Sequence, residues 1–328
     1  MKEMKLFALL LWVVILPLNA FDLTPYKRIV CFGDSITHGG QYHVFLQEYL
    51  AETDPAHPRR IINRGISGDT VPRLLKRVDK MLQTDKPDLV MIMIGTNDLI
   101  GIRFTEKDLS FDDAVKKYPV FKQFEKNLGG LIDILNKAKV KVVLLSTPPY
   151  NESSNPEMKR PVRANLNSTG VKNIQIVEQR LAKRKGAVWI DIYTPLLKNL
   201  QENDARLPRG RYDRVHPSRS EHLIIAETIL EKKYTPGKKA AAAEKYGTAQ
   251  RNIQEVRLTL RRFPKDCTTP EARIEYQKKW VSKLTGADYK YHSKVLPSVI
   301  ETLKDPDAKI RKYEKLREEA FQKLYPAQ

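Results

Sequence analysis

The chain has 328 residues, 41% of them hydrophobic and 30% charged, a composition that excludes a disordered or fibrous polypeptide and suits one large core with an appendage. Lysine and arginine number 58 against 39 acidic residues, a net charge of +19. The excess is spread out, with 21 basic and 12 acidic residues from Thr235 onward, so no isolated basic block argues for nucleic acid, and weak association with an anionic polymer or a membrane surface is the most that such a surface implies.

The first five residues carry two lysines, residues 6–18 are apolar, and Asn19-Ala20 follows. This predicts a signal peptide over residues 1–20, with a mature start near Phe21 and a secreted or periplasmic product. The run is shorter than the roughly 20 residues that cross a bilayer, and an uncleaved N-terminal anchor is the alternative. The two cysteines, Cys31 and Cys267, make no disulfide framework.

From Arg28 to Gly186 short apolar runs alternate with stretches of helical spacing, the rhythm of a parallel α/β sheet. Strands are predicted at residues 29–32, 60–62, 89–94, 140–145 and 188–190. Their continuous apolar character suits burial on both faces. Helical spacing is clearest at Phe121, Phe124, Leu128, Leu131, Ile132 and Leu135. Ser218-Arg219-Ser220-Glu221 has the form of a capping box that opens a final helix. At Thr235-Pro236-Gly237 the chain breaks, and residues 235–328 form a basic helical C-terminal extension, with helices predicted at 239–262, 270–283 and 307–324. Trp280, Tyr276, Tyr289 and Tyr291 within it read as packing residues rather than a sugar platform.

Each predicted strand end carries polar residues. Gly33-Asp34-Ser35-Ile36-Thr37 follows the first strand, Gly65-Ile66-Ser67-Gly68-Asp69 the second, Gly95-Thr96-Asn97-Asp98 the third, and Asp213-Arg214-Val215-His216 precedes the final helix. Carboxyl ends of parallel strands form the crevice where ligands bind. Serine, histidine and aspartate are the residue types of acyl transfer: the imidazole takes the hydroxyl proton and the carboxylate orients the imidazole. The rival nucleophile Ser67 lacks the last glycine of the G-x-S-x-G elbow. A glycosidase-like pairing of Asp34 with Asp98 is disfavoured, because both sit in turns that the serine scheme already explains.

These four blocks, in this order, resemble the SGNH hydrolases, also called GDSL-type esterases and lipases. The resemblance covers about residues 28–230 and implies a three-layer α/β/α sandwich with a flavodoxin-like parallel sheet, placing a hydrolase domain at residues 21–234. It further implies Ser35 as nucleophile, His216 as base and Asp213 as its orienting carboxylate. The oxyanion donors are then the backbone N–H groups of Ser35 and Gly68 and the side-chain amide of Asn97. His38, Arg103, Phe104 and Tyr150 are expected to line the substrate cleft, the middle two from a long connection over residues 99–118. No metal or organic cofactor is expected, since no histidine shows a metal-ligand spacing. The expected substrate is a small-molecule or polysaccharide ester, with O-acetyl or short-acyl carbohydrate favoured. A lysophospholipid or other lipid ester is the alternative, and a non-catalytic surface-binding module is the reading from a different class.

Overall fold

The computed structural model describes residues 21–152, 163–203 and 215–326; residues 1–20, over which a signal peptide is expected, and Asp213 lie outside the described residues. Five parallel strands form where the apolar runs were read: β1 (Arg28–Gly33), β2 (Arg60–Gly65), β3 (Leu89–Met93), β4 (Lys141–Leu145) and β5 (Val188–Ile190). Their order is β2-β1-β3-β4-β5, a flavodoxin-like sheet in which the chain reverses its direction of winding between β1 and β3. Parallel neighbours need helical crossovers. These are α1 (Ser35–Gly39) and α2 (Tyr42–Thr53), then α3 (Val71–Leu75) and α4 (Val78–Asp85), then α5 (Thr96–Leu99), α6 (Phe111–Lys117) and α7 (Val120–Lys137). A π-helical stretch (Leu166–Val171) runs into α8 (Lys172–Lys185), and α9 (Tyr193–Asn203) and α10 (Arg219–Leu230) follow β5.

Alternation along each strand sends neighbouring side chains to opposite faces. Val30, Phe32, Val90 and Ile92 pack with Leu74, Phe121, Leu131 and Val177 on one side. Ile29, Cys31, Leu89 and Met91 pack with Phe45, Leu50, Ile225 and Ile229 on the other. The predicted capping box is present: Ser218 accepts from the Glu221 N–H and Glu221 from the Ser218 N–H. Cys31 and Cys267 are unbridged.

The extension comprises α11 (Ala240–Arg261), α12 (Pro270–Ser282), α13 (Gly286–Lys304) and α14 (Pro306–Leu324). Helix α13, which has Pro297 inside it, is not among the helices expected from the sequence. Helices α11 and α14 are part of the core's cover. Ala243, Tyr246, Ala320, Phe321 and Leu324 bury against Val44 and Ala51 of α2.

More telling is what α11 does at the outer edge of β2, where a strand would otherwise expose unpaired backbone groups. The Asn63 N–H donates to Gln250 Oε1 at 2.9 Å, and Gln250 Nε2 donates to the Ile61 carbonyl at 3.0 Å. Gln254 Nε2 donates to the Asn63 carbonyl. From α2, Gln47 accepts the Ile61 N–H at 2.8 Å and donates to the Arg59 carbonyl at 2.9 Å. A glutamine carboxamide has the same donor and acceptor as a peptide unit, so three of them replace a sixth strand. By contrast α12 and α13 pair mainly with each other and leave Tyr276, Trp280, Tyr289 and Tyr291 exposed, against the packing role expected from their spacing.

Candidate active site

Asp34 caps α1: its Oδ1 accepts the Ile36 N–H at 2.9 Å. The first turn therefore starts abruptly after β1 and presents Ser35, partly exposed, at the strand's carboxyl end. Gly33 allows this approach, since a Cβ there would sit 2.3 Å from the Met93 carbonyl oxygen of β3. The loop after β2 is stitched to the same place by the Ile66 N–H, which donates to the Gly33 carbonyl at 3.0 Å. In it Gly68 adopts φ +82°, a backbone conformation that side-chain-bearing residues rarely hold.

Asn97, in α5 after β3, ties the first two loops together. Its Nδ2 donates to the Asp69 carbonyl at 2.9 Å and to Asp34 Oδ2 at 3.3 Å. Asp98 beside it accepts the Val71 N–H at 3.2 Å. From below, Arg77 donates to Asp69 Oδ2 at 2.8 Å and to the Gly33 carbonyl at 3.1 Å, with its guanidinium over the Phe32 ring. The polar residues that precede and follow the motif glycines thus form one hydrogen-bonded floor. Asp34 and Asp98, expected as turn residues, belong to this floor, together with Asp69 and Arg77, which the sequence does not single out.

His216 comes from the segment before α10 and lies 181 residues from Ser35 in sequence. Its Nε2 is 2.8 Å from Ser35 Oγ, inside the range over which a general base takes a proton. An imidazole that accepts at Nε2 keeps its proton on Nδ1. Asp213, the carboxylate expected there, is outside the described residues.

Burial shapes the charges around this pair. It pushes the Asp34 carboxyl up to about 7 against the pull of the Ile36 N–H and of His216. Asp98 is likewise raised to about 7 by burial. Asp69 is raised by burial despite its ion pair with Arg77. Among the described residues, no group of three or more His, Cys, Asp or Glu side chains is placed to hold a metal ion.

The residues expected to line the cleft fall in different places. Tyr150 is buried, and with Thr96, Leu99, Pro149, Leu166 and Val215 it lines a narrow apolar pocket. Thr96 and Val215 are the chain neighbours of Asn97 and His216, and no described contact joins Tyr150 to Ser35. Its backbone is held by Asn167, which accepts the Tyr150 N–H at 2.8 Å.

His38 is turned elsewhere. It is 4% exposed, with Nδ1 2.9 Å from Ser67 Oγ and Nε2 3.3 Å from Glu255 of α11. Burial lowers its basicity, partly offset by Glu255. Proximity in sequence to Ser35 suggested the cleft, but α1 packs the ring between the β2 loop and the extension.

Phe104 is 3% exposed, with its ring 4.9 Å from that of Tyr118 in an edge-on contact and its neighbour Phe121 behind, so it is a core residue. Arg103 is exposed, and no described contact brings it to Ser35. The 99–118 connection does not hang free: it contains α6 and is tied down by Thr169 and Asn173, which donate to the carbonyls of Glu106 and Leu109 at 2.7 and 3.2 Å.

This architecture has known counterparts. A gut microbial diltiazem-metabolizing enzyme superposes with a TM-score of 0.67 over 92% of this chain and 96% of its own, at 16% identity, so the shared fold takes in C-terminal helices as well as the sheet. In sequence, the chain is 30% identical over 222 residues to an acetylxylan esterase of Geobacillus stearothermophilus, which covers 62% of this chain and 92% of that protein. The sequence pattern of the GDSL-like lipase/acylhydrolase family matches residues 31–222, from the strand before Ser35 to the first turn of α10. The protein belongs to that family and is a carboxylic ester hydrolase.

Proposed function

We propose that the protein is an exported serine esterase that removes acetyl or other short acyl groups from carbohydrate through an acyl-enzyme on Ser35. The observation that carries this reading is the 2.8 Å contact between Ser35 Oγ and His216 Nε2 at the carboxyl end of β1. In the first half-reaction Ser35 Oγ attacks the ester carbonyl while His216 takes its proton. The N–H groups of Ser35 and Gly68 and the Asn97 amide receive the developing oxyanion, and the longer contact of Asn97, 3.3 Å to Asp34, is the one a substrate oxygen displaces. The protonated His216 then gives its proton to the departing sugar hydroxyl. Water repeats the sequence on the acyl-serine, releasing acid and restoring the hydroxyl. Asp213 is assigned to balance the imidazolium in both halves.

The short-acyl preference rests on the acetylxylan esterase relative and on the narrowness of the apolar pocket lined by Thr96 and Val215, the chain neighbours of Asn97 and His216, which suits a methyl group better than a fatty chain. Export rests on the lysine-bearing apolar leader, and N-terminal sequencing of the product recovered outside the cell tests it. Rates on an acyl series from acetyl to decanoyl esters test the substrate class: activity is expected to peak at acetyl, whereas a maximum at long chains favours the lipid-ester reading. Equal, background-level rates for the wild type and Ser35→Ala would leave only a binding module.

A further inference from the structure

Helices α4 and α11 face each other across a gap instead of packing. From the α4 side come Arg77, Lys80, Met81 and Thr84, and from α11 Gln254, Arg257, Leu258 and Arg261. Both sets follow steps of three and four, so each is one continuous helical stripe. Such a stripe ordinarily closes a helix interface with apolar side chains. Here it leaves a groove of about 260 Å3 that also takes in Arg64 and Ile66 of the β2 end.

Five cations therefore converge on one concavity, and the carboxylates around it do not balance them. Asp85 is occupied by Arg64, through contacts of 2.6 and 2.5 Å. Asp69 is occupied by Arg77. Arg257 has a single contact with Glu314 at 3.4 Å, and neither Lys80 nor Arg261 makes an ion pair among the described residues. The crowding registers in the charges themselves: burial lowers Arg257, and Arg64 lowers it further. Arg77 is depressed to about 10, by burial first, with Arg261 and Arg64 adding to the depression. Like charges gathered in a partly desolvated cleft raise the free energy of the empty state and focus attraction on an anion.

We propose that this groove is a binding site for a sugar-sized ligand carrying a carboxylate or phosphate, separate from the ester-hydrolysing centre. The forked guanidinium groups of Arg257 and Arg261 match the oxygens of such an anion in pairs, with Lys80 as a third charge. Ile66, Met81 and Leu258 provide apolar wall for the body of the ligand. Ile66, which lines the groove, belongs to the same loop as Gly68.

Titration calorimetry of the full chain at constant ionic strength with glucuronate, glucose 6-phosphate, glucose and inorganic phosphate tests this. Saturable binding of glucuronate or of glucose 6-phosphate, well above glucose and inorganic phosphate, is expected, and whichever of the two binds more tightly identifies the anion. Arg257→Gln with Arg261→Gln should weaken that binding at least about tenfold, the loss expected of two charge-assisted contacts. Lys80→Gln, at the exposed rim, should weaken it less. The melting temperature of the unliganded double variant should be no lower than that of the wild type, since its removed charges repel, and this separates lost binding from lost folding. No saturable binding, binding undiminished in the double variant, or inorganic phosphate as tight as the sugar anions would each overturn the proposal.

Discussion

The carboxyl end of the sheet and the outer edge of β2 treat the same kind of group in opposite ways. At the carboxyl end, Ser35 follows β1, the central one of three neighbouring strands, and meets His216 beside the loops that leave β2 and β3, where it is partly exposed to a substrate. Along the β2 edge, Gln47, Gln250 and Gln254 occupy every outward backbone group from the Arg59 carbonyl to the Asn63 carbonyl. One end keeps polar groups available for chemistry, and the other uses them up for cohesion. The two regions should therefore come apart under mutation: changes at the first remove turnover and spare the fold, and changes at the second weaken the fold and spare the chemistry.

The sharpest break is Ser35→Ala, which should lower kcat/KM for an acetyl ester by at least about 10⁴. Its urea midpoint should stay near that of the wild type, because Ser35 is partly exposed. Asn97→Ala should lower kcat by about 10² to 10³ with a smaller change in KM, the signature of a donor used mainly in the transition state. On the other side of the comparison, Gln250→Leu leaves the Ile61 carbonyl and the Asn63 N–H buried without partners. It should cost roughly 2–4 kcal/mol in urea unfolding, while the molecules that remain folded retain their turnover. A Gln250→Leu protein with normal stability but slow catalysis would show that the two regions are not separable.

A smaller effect sharpens the picture through pH. Glu178 in α8 receives the Thr147 hydroxyl at 2.9 Å, and burial holds its carboxyl up to about 8. In the unfolded chain it titrates near about 4.3. The folded protein thus keeps a proton that the unfolded chain has lost, and the associated stability, fully present below about 4.3, declines as pH rises toward 8. Glu178→Gln stays neutral throughout, so its urea midpoint should fall less between pH 5 and pH 8 than that of the wild type. An unaltered pH slope would contradict the assignment. Smallest of all, Tyr291→Ala on α13, 63% exposed, should change stability by less than about 0.5 kcal/mol.

How much of this the sequence disclosed follows the same division. Strand positions were legible because a buried parallel strand is a continuous apolar run, and the observed strands match the predicted ones to within a few residues. The Ser218 capping box was legible because its chemistry is local. The meeting of Ser35 with His216 was legible through the order of motifs and the places of strand ends.

The attachment of the extension was not. Gln250 and Gln254 lie on a helix rich in charge, and nothing in their spacing separates a glutamine that completes a sheet edge from one that faces water. His38 was misplaced for a related reason: closeness in sequence says little about which neighbour a one-turn helix offers its side chains to, and Glu255, more than two hundred residues away, decides it. Phe104 was read as cleft-lining because its connection looked long and free, whereas α6 and the bonds from the 165–173 stretch pin it into the core.

The measurement that tests the central claim most directly is covalent labelling with an organophosphonate ester followed by peptide mass analysis. Label should appear on Ser35, and its formation should slow by orders of magnitude in His216→Ala while remaining intact in His38→Ala. Label on Ser67 that depends on His38, or labelling of Ser35 that is indifferent to His216, would contradict the account.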